Sequence, residues 1–168
     1  MMSEVPEIGV ETRYTAQAGG LMRRDLPPAE ILEEALRTNA NRQGQMRVRD
    51  ECLVRLALIH GLSFEQIADL RMTDADLDRQ MLTPAGQECI ELSPDTIQVI
   101  RDWLAVREAL IPPTDAPRTE ALFLCRLGLQ LKVEQVRNLV RKAECRAWQV
   151  QATRMQGQKV RRRTGYEE

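Results

Sequence analysis

At 168 residues the chain suits one domain with one core, since domains cluster near roughly 100–150 residues. With 24 basic and 25 acidic side chains, a net charge of −1 and 43% apolar residues, it has the balance of a soluble globular protein rather than of a disordered tail. No apolar run reaches the ~18 residues of a membrane span, MMSEVPEIGVE has no apolar signal core, and four scattered cysteines with one histidine argue against a metal site, so a cytoplasmic protein without cofactor is expected.

Residues 1–26, with Gly19-Gly20 and weak periodicity, read as a mobile leader. Pro27-Pro28 then opens a short helix, AEILEEALRTNA, with Ile31, Leu32, Ala35 and Leu36 on one side. Proline suits a first helical turn because its missing N–H has no helical partner to lose. After the polar break NRQGQ, residues 46–60 place Cys52, Leu53, Leu56 and Ile59 at helical spacing, and Gly61 stops that helix. Ser63 with Gln66 three positions on is an S-x-x-Q capping box for a helix over 64–70, and Leu62, Ile67 and Leu70 make its apolar face.

Residues 71–93 change period. Met72-Thr73, residues 80–83 and residues 89–92 read as short strands, with turns at 74–78 and at Pro84-Ala85-Gly86. Ser93-Pro94-Asp95 starts a long helix with Ile97, Ile100, Leu104 and Ala105 as core stripe and Trp103 on its flank. The proline-rich IPPTDAPRTE cannot continue it. Residues 122–125 read as a short buried strand, Gly128 lies in a turn, and residues 133–155 form a second long helix with Val136, Leu139, Val140 and Ala143 spaced for burial. The remaining polar segment, residues 156–168, reads as a basic disordered tail. The expected fold is mainly α with a small antiparallel sheet (α+β), in one domain over 27–155.

The charge is divided along the chain. Residues 63–111 carry ten acidic and four basic side chains, whereas residues 132–168 carry ten basic and four acidic ones. Local potential governs an encounter with a polyanion, so a neutral chain with a basic end still suits nucleic acid.

Four anchors carry a family likeness. RVRD precedes an apolar helix and the turn Gly61-Leu62-Ser63-Phe64-Glu65-Gln66-Ile67-Ala68-Asp69-Leu70. IELSPDTIQVIRDWL and ALFLCRLGLQLKVEQVRNLVRKA follow in order. Together, over about residues 46–143, they resemble the catalytic domain of the tyrosine recombinases (phage integrases). That family reads R-D, G-L-R-x-x-E-[LI]-x-x-L, V-P-L-x-x-x-[TA] and L-F-x-[SN]-x-x-G-x-x-[LIF]-[ST]. The resemblance implies a recombinase-like fold. It also implies a chemistry in which a tyrosine attacks a DNA phosphate, two arginines clamp the phosphate oxygens, and a hairpin lysine and histidines move protons.

Position by position, this chain departs from that chemistry. Ser63 stands where the family has its first arginine, residues 79–92 contain no lysine, and no H-x-x-R box follows because His60 is the last histidine. The segment after Lys142 reads as too short and polar for the family's further helices, and Tyr166 reads as an exposed tail residue rather than a nucleophile. Losing one such charge donor typically costs about a hundredfold or more in rate. The expectation is therefore a catalytically inactive, integrase-like protein that binds double-stranded DNA and regulates or assists recombination or transcription. Its carriers would be Arg126, Lys132, Arg137, Arg141 and Lys142, with Arg161, Arg162 and Arg163 adding backbone affinity.

Two alternatives stand beside it. One is a protein-interaction module that docks on a true recombinase or on its own copies through the acidic middle and basic end. The other is a helix-turn-helix regulator opening at GLSFEQIADL, against which the acidic TDADLDRQML argues. Among single residues, His60 is expected to meet a helix C-terminal dipole, and Asp74, Asp76 and Asp78 to form a solvated turn. Trp103 and Trp148 are expected to anchor a core or an interface.

Overall fold

The computed structural model describes residues 28–38, 44–112 and 119–164, with side chains except at 29, 37, 38 and 159–164. The leader 1–26, the centre of the proline-rich loop and Tyr166 lie outside the described residues. The architecture is mainly helical: α1 (Ala29–Thr38), α2 (Met46–Val54), α3 (Phe64–Asp69), α4 (Pro94–Leu110) and α5 (Val133–Thr164). Between α3 and α4 lies an antiparallel sheet of β1 (Ala75–Asp76), β2 (Met81–Leu82) and β3 (Ile90–Glu91), in that order.

Helix α2 is the centre of the core, packed against both α4 and α5. A helix enclosed on several sides must be apolar around its circumference, and every residue from Cys52 to Leu58 is buried. The expected single α-helix to His60 is corrected here. Its last stretch, Arg55–Ile59, is a π turn closed by the His60 N–H on the Arg55 carbonyl at 3.1 Å, and Gly61 follows at φ +74°. The wider turn accommodates Arg55 inside the core, where its Nε donates to Glu51 Oε1 at 3.1 Å and its Nη1 lies 3.7 Å from Glu33. The apolar side of α1 (Ile31, Leu32, Ala35 and Leu36) is buried, and α1 packs along α5 with an ion pair between Glu34 and Arg154.

The short strands are displaced from their expected positions. Met72–Asp74 is a 3-10 turn, and the first strand is Ala75–Asp76, inside the segment read as a turn. Cross-strand register decides this: Ala75 pairs with Leu82, and Met81 with Glu91, so the buried Leu82 sets where its neighbours must lie. Because α3 leads into this turn and strand, the second helix of a helix-turn-helix is absent at that place, which removes that reading. On α4, Ile97 and Ile100 are buried as expected, but further along Trp103 is fully buried while Leu104 is half-buried and Ala105 exposed, so the stripe turns toward Trp103. Helix α5 continues to Thr164, beyond the expected stop at Met155 and through part of the segment read as a disordered tail.

Residues 122–125 do not form a strand. The segment is held by isolated bridges, Arg71 with Ala121 and Leu124 with Gln130, and by side chains that donate to its carbonyls. Arg107 of α4 donates to the Thr119 carbonyl at 2.7 Å and to that of Ala121 at 2.7 and 3.0 Å. Trp103 Nε1 donates to the Leu122 carbonyl at 2.9 Å, and Arg49 Nη1 of α2 to that of Leu124 at 3.1 Å. Main-chain N–H groups of Met72, Leu131 and Gly128 take the carbonyls of Glu120, Phe123 and Cys125. Leu122, Phe123 and Leu124 thus enter the core without leaving a buried carbonyl unpaired, and the Phe123 ring stacks on Trp103 at 6.2 Å.

Arg107→Leu leaves the Thr119 and Ala121 carbonyls without that donor inside the core. We expect a loss of about 2–4 kcal/mol in stability, seen as a lower urea midpoint at unchanged slope, with Arg107→Lys recovering part of it.

Candidate nucleic-acid interface

The buried segment delivers the chain to a tight, fully bonded turn. Cys125 N–H donates to the Leu129 carbonyl at 2.8 Å and Gly128 N–H to that of Cys125 at 3.0 Å. Gly128 sits at φ +73°, and a Cβ there would meet the Leu110 carbonyl oxygen at 3.0 Å, so the turn needs glycine and lies against the end of α4. Gln130 Nε2 donates to the Ala68 carbonyl at 3.0 Å, which ties the turn's exit to α3. At the start of α5, Lys132 N–H donates to Gln135 Oε1 at 2.9 Å, a cap supplied from inside the helix.

Burial of Val136, Val140 and Ala147 fixes which side of α5 meets water. Arg126 on the turn, Lys132 at the helix entrance, and Arg141 and Lys142 on the outer side are all exposed. None of these four forms a salt bridge among the described residues. Arg137 is different: it is half-buried, bonds Glu134 Oε1 at 2.8 Å, and holds its guanidinium 6.0 Å from the centre of the Phe64 ring. Its charge is already engaged in joining α5 to α3. Arg161, Arg162 and Arg163 fall on the last helical turns, and their side chains lie outside the described residues.

The position of the family's first arginine is built as a helix cap. Ser63 Oγ accepts from Gln66 N–H at 3.1 Å, and Ser63 N–H donates to Gln66 Oε1 at 2.8 Å. Both orphan donors are satisfied by neutral groups, so the turn is stable without a cation. The loop between β2 and β3 reads TPAGQEC, with Glu88 exposed in it. Asp74 and Asp76 cap turns, accepting from Arg71 N–H at 2.8 Å and Arg79 N–H at 3.1 Å, and exposed Asp78 lies 3.7 Å from Arg101. The RVRD motif is structural: Arg49 is buried, bonded to Asp50 Oδ1 at 2.7 and 3.0 Å and to the Leu124 carbonyl.

His60 does not act as a cation on a helix dipole. Its Nε2 shares a hydrogen bond of 2.9 Å with Thr96 Oγ1, and Thr96 in turn is bonded to Ser93 at the head of α4. Burial, and then the charge of Arg55, push its pKa from 6.5 down to about 4, so the ring is neutral near pH 7. The signal missed in the sequence was the inward turn of Arg55. Trp148 is exposed on α5, and the sequence reading did not single out Leu127 and Leu129, which stand out from the turn.

No family model matches the chain. It is 26% identical over 131 residues to the tyrosine recombinase XerC of Corynebacterium glutamicum, covering 71% of this chain and 40% of that protein. It is 29% identical over 129 residues to the type 1 fimbriae regulatory protein FimE of Escherichia coli, covering 74% of this chain and 63% of that protein. In three dimensions it is similar to the crystal structure of XerA recombinase, with a TM-score of 0.57 at 13% identity over 71% of this chain and 41% of that one. The chain thus spans about two fifths to three fifths of the length of these relatives.

The depressed His60 pKa sets a pH dependence. A ring that takes up its proton at pH 6.5 when unfolded and at about 4 when folded contributes its stability fully above pH 6.5, and loses it as pH falls from 6.5 through 4. Urea midpoints are expected to fall over that window, on the order of 2–3 kcal/mol in all, and His60→Gln to flatten the fall.

Proposed function

From the premise that this chain carries a tyrosine-recombinase-like domain, we propose that it is a DNA-binding protein that keeps the recombinase scaffold and does not perform strand transfer. The observation that carries this reading is the reciprocal Ser63–Gln66 cap at the place of the first arginine. Phosphoryl transfer is catalysed by positioned charge, and a neutral cap offers none. The β2–β3 hairpin points the same way, since residues 79–92, where the resembling family carries its lysine, contain none, and the loop instead exposes Glu88, a carboxylate that repels phosphate.

Binding is the part of the function the remaining charges support. Arg126, Lys132, Arg141 and Lys142 are exposed and without a carboxylate partner among the described residues, on a turn and a helix held rigidly by the core. Such cations neutralise phosphates and release counterions, so affinity comes with steep salt dependence. Arg161, Arg162 and Arg163 extend the same helix with further positive charge. One relative is named a recombinase and another a regulatory protein, which supports a role in assisting or regulating recombination or transcription.

A second reading, docking onto a recombinase or onto a second copy, draws on the exposed Trp148 and Met155 of α5 and on the acidic sheet and α4. Light scattering at low and high salt separates the two, because a charge-paired dimer dissociates as salt rises.

The test of the leading reading is a mobility-shift titration on duplex DNA over a range of salt, with a nicked suicide substrate run in parallel. We expect binding that weakens steeply with salt, and an Arg141→Ala/Lys142→Ala variant whose salt slope is shallower by about 2. No covalent protein–DNA band is expected. A covalent band abolished by Tyr166→Phe would overturn the non-catalytic reading, and absence of binding even at low salt would overturn the DNA reading.

A further inference from the structure

The turn before α5 carries two leucines that the core does not use. Leu127 is 80% exposed and Leu129 63% exposed, while Leu122, Leu124 and Leu131 of the same segment are buried. One exposed leucine on a surface is ordinary. Two on one tight turn, a glycine apart, form a small apolar tip.

This tip is rigid, and a cation flanks it on each side in the sequence. The bonds from Cys125 and Gly128, the Leu124–Gln130 bridge and the Gln130 bond to the Ala68 carbonyl fix the turn. Arg126 precedes Leu127, Lys132 follows Leu129 by three positions, and residues 121–133 contain no carboxylate. An apolar tip between two cations fits a surface that alternates anionic rails with apolar faces. Duplex DNA is such a surface, with phosphates at the groove edges and sugar and base faces between them.

We propose that Leu127 and Leu129 form an apolar wedge that seats in a groove of duplex DNA, between phosphates contacted by Arg126 and Lys132. The proposal rests on the DNA-binding reading and adds a contact that charge alone does not supply. Apolar side chains pressed against base steps are a known device for gaining surface on DNA, at the cost of partial unstacking. The two leucines contribute a salt-independent part of the affinity, whereas Arg126 and Lys132 contribute the salt-dependent part.

The full chain, a Leu127→Ser/Leu129→Ser variant and an Arg126→Ala variant would be titrated into a fluorescently labelled duplex and followed by anisotropy at several salt concentrations. Loss of the wedge is expected to lower affinity about tenfold at every salt concentration, with the slope of log K against log[salt] unchanged. Arg126→Ala is expected to reduce that slope by about 1. The thermal midpoint of the double variant should match the wild type, because neither leucine is in the core. If the double variant binds as tightly as the wild type, the wedge is overturned while DNA binding stands. Should the wild type fail to bind, both fall. If the double variant keeps its DNA affinity but loses self-association, the turn belongs to a protein contact and the wedge is likewise overturned.

Discussion

The structure depends on how the main chain from Thr119 to Cys125 is satisfied. Each carbonyl along it has a donor, and buried side chains of α2 and α4 supply those for Thr119, Ala121, Leu122 and Leu124. A buried carbonyl without a partner costs roughly 1–3 kcal/mol, so the arrangement decides whether this non-strand segment can enter the core at all. It is also where the chain closes on itself, since Arg49 reaches a carbonyl 75 positions away. Arg107 is 2% exposed and places its charge among carbonyl dipoles, with Glu108 3.9 Å from its Nη1. From this fastened segment follow the Gly128 turn, the entrance to α5 and the aim of the exposed cations.

Much of this was legible in the sequence where the deciding interactions are local. The apolar stripe of α1 and the Ser63–Gln66 cap are local patterns with their expected form, and on α5 Val136 and Val140 are buried as expected while Leu139 and Ala143 are half-buried. Helix caps are read within four residues, which is why S-x-x-Q could be recognised before any tertiary contact. What was not legible depends on distant partners. Trp103 is buried because its Nε1 finds the Leu122 carbonyl, 19 positions on, and the two-residue strands lie where cross-strand register puts them. His60 is neutral because the fold buries it and then because Arg55 turns inward beside it, neither of which periodicity can show. At the C-terminal end, the polar, basic composition of residues 156–168 reads as a disordered tail, yet α5 passes through Gly157 to Thr164.

The candidate interface divides in the same way. Exposure of Arg141 and Lys142 follows from the burial of Val136 and Val140, so helical spacing alone places them outward. Arg137 has the same residue type on the same helix, but Phe64 and Glu134 hold it back. The proposed function separates binding from catalysis in this scaffold. The cations lie on a turn and helix that the core holds in place, while the position expected to clamp the reacting phosphate is held by a neutral cap. The fold is similar to that of XerA recombinase, and Ser63 and Gln66 cap α3 with neutral groups.

Hydrogen–deuterium exchange with and without duplex DNA at low salt tests that separation most directly. The account predicts protection over residues 126–142, the turn and the first half of α5, with the β2–β3 loop at residues 83–89 unchanged. Protection of the loop that carries Glu88, or no protection of α5 at a DNA concentration that saturates binding, would contradict it.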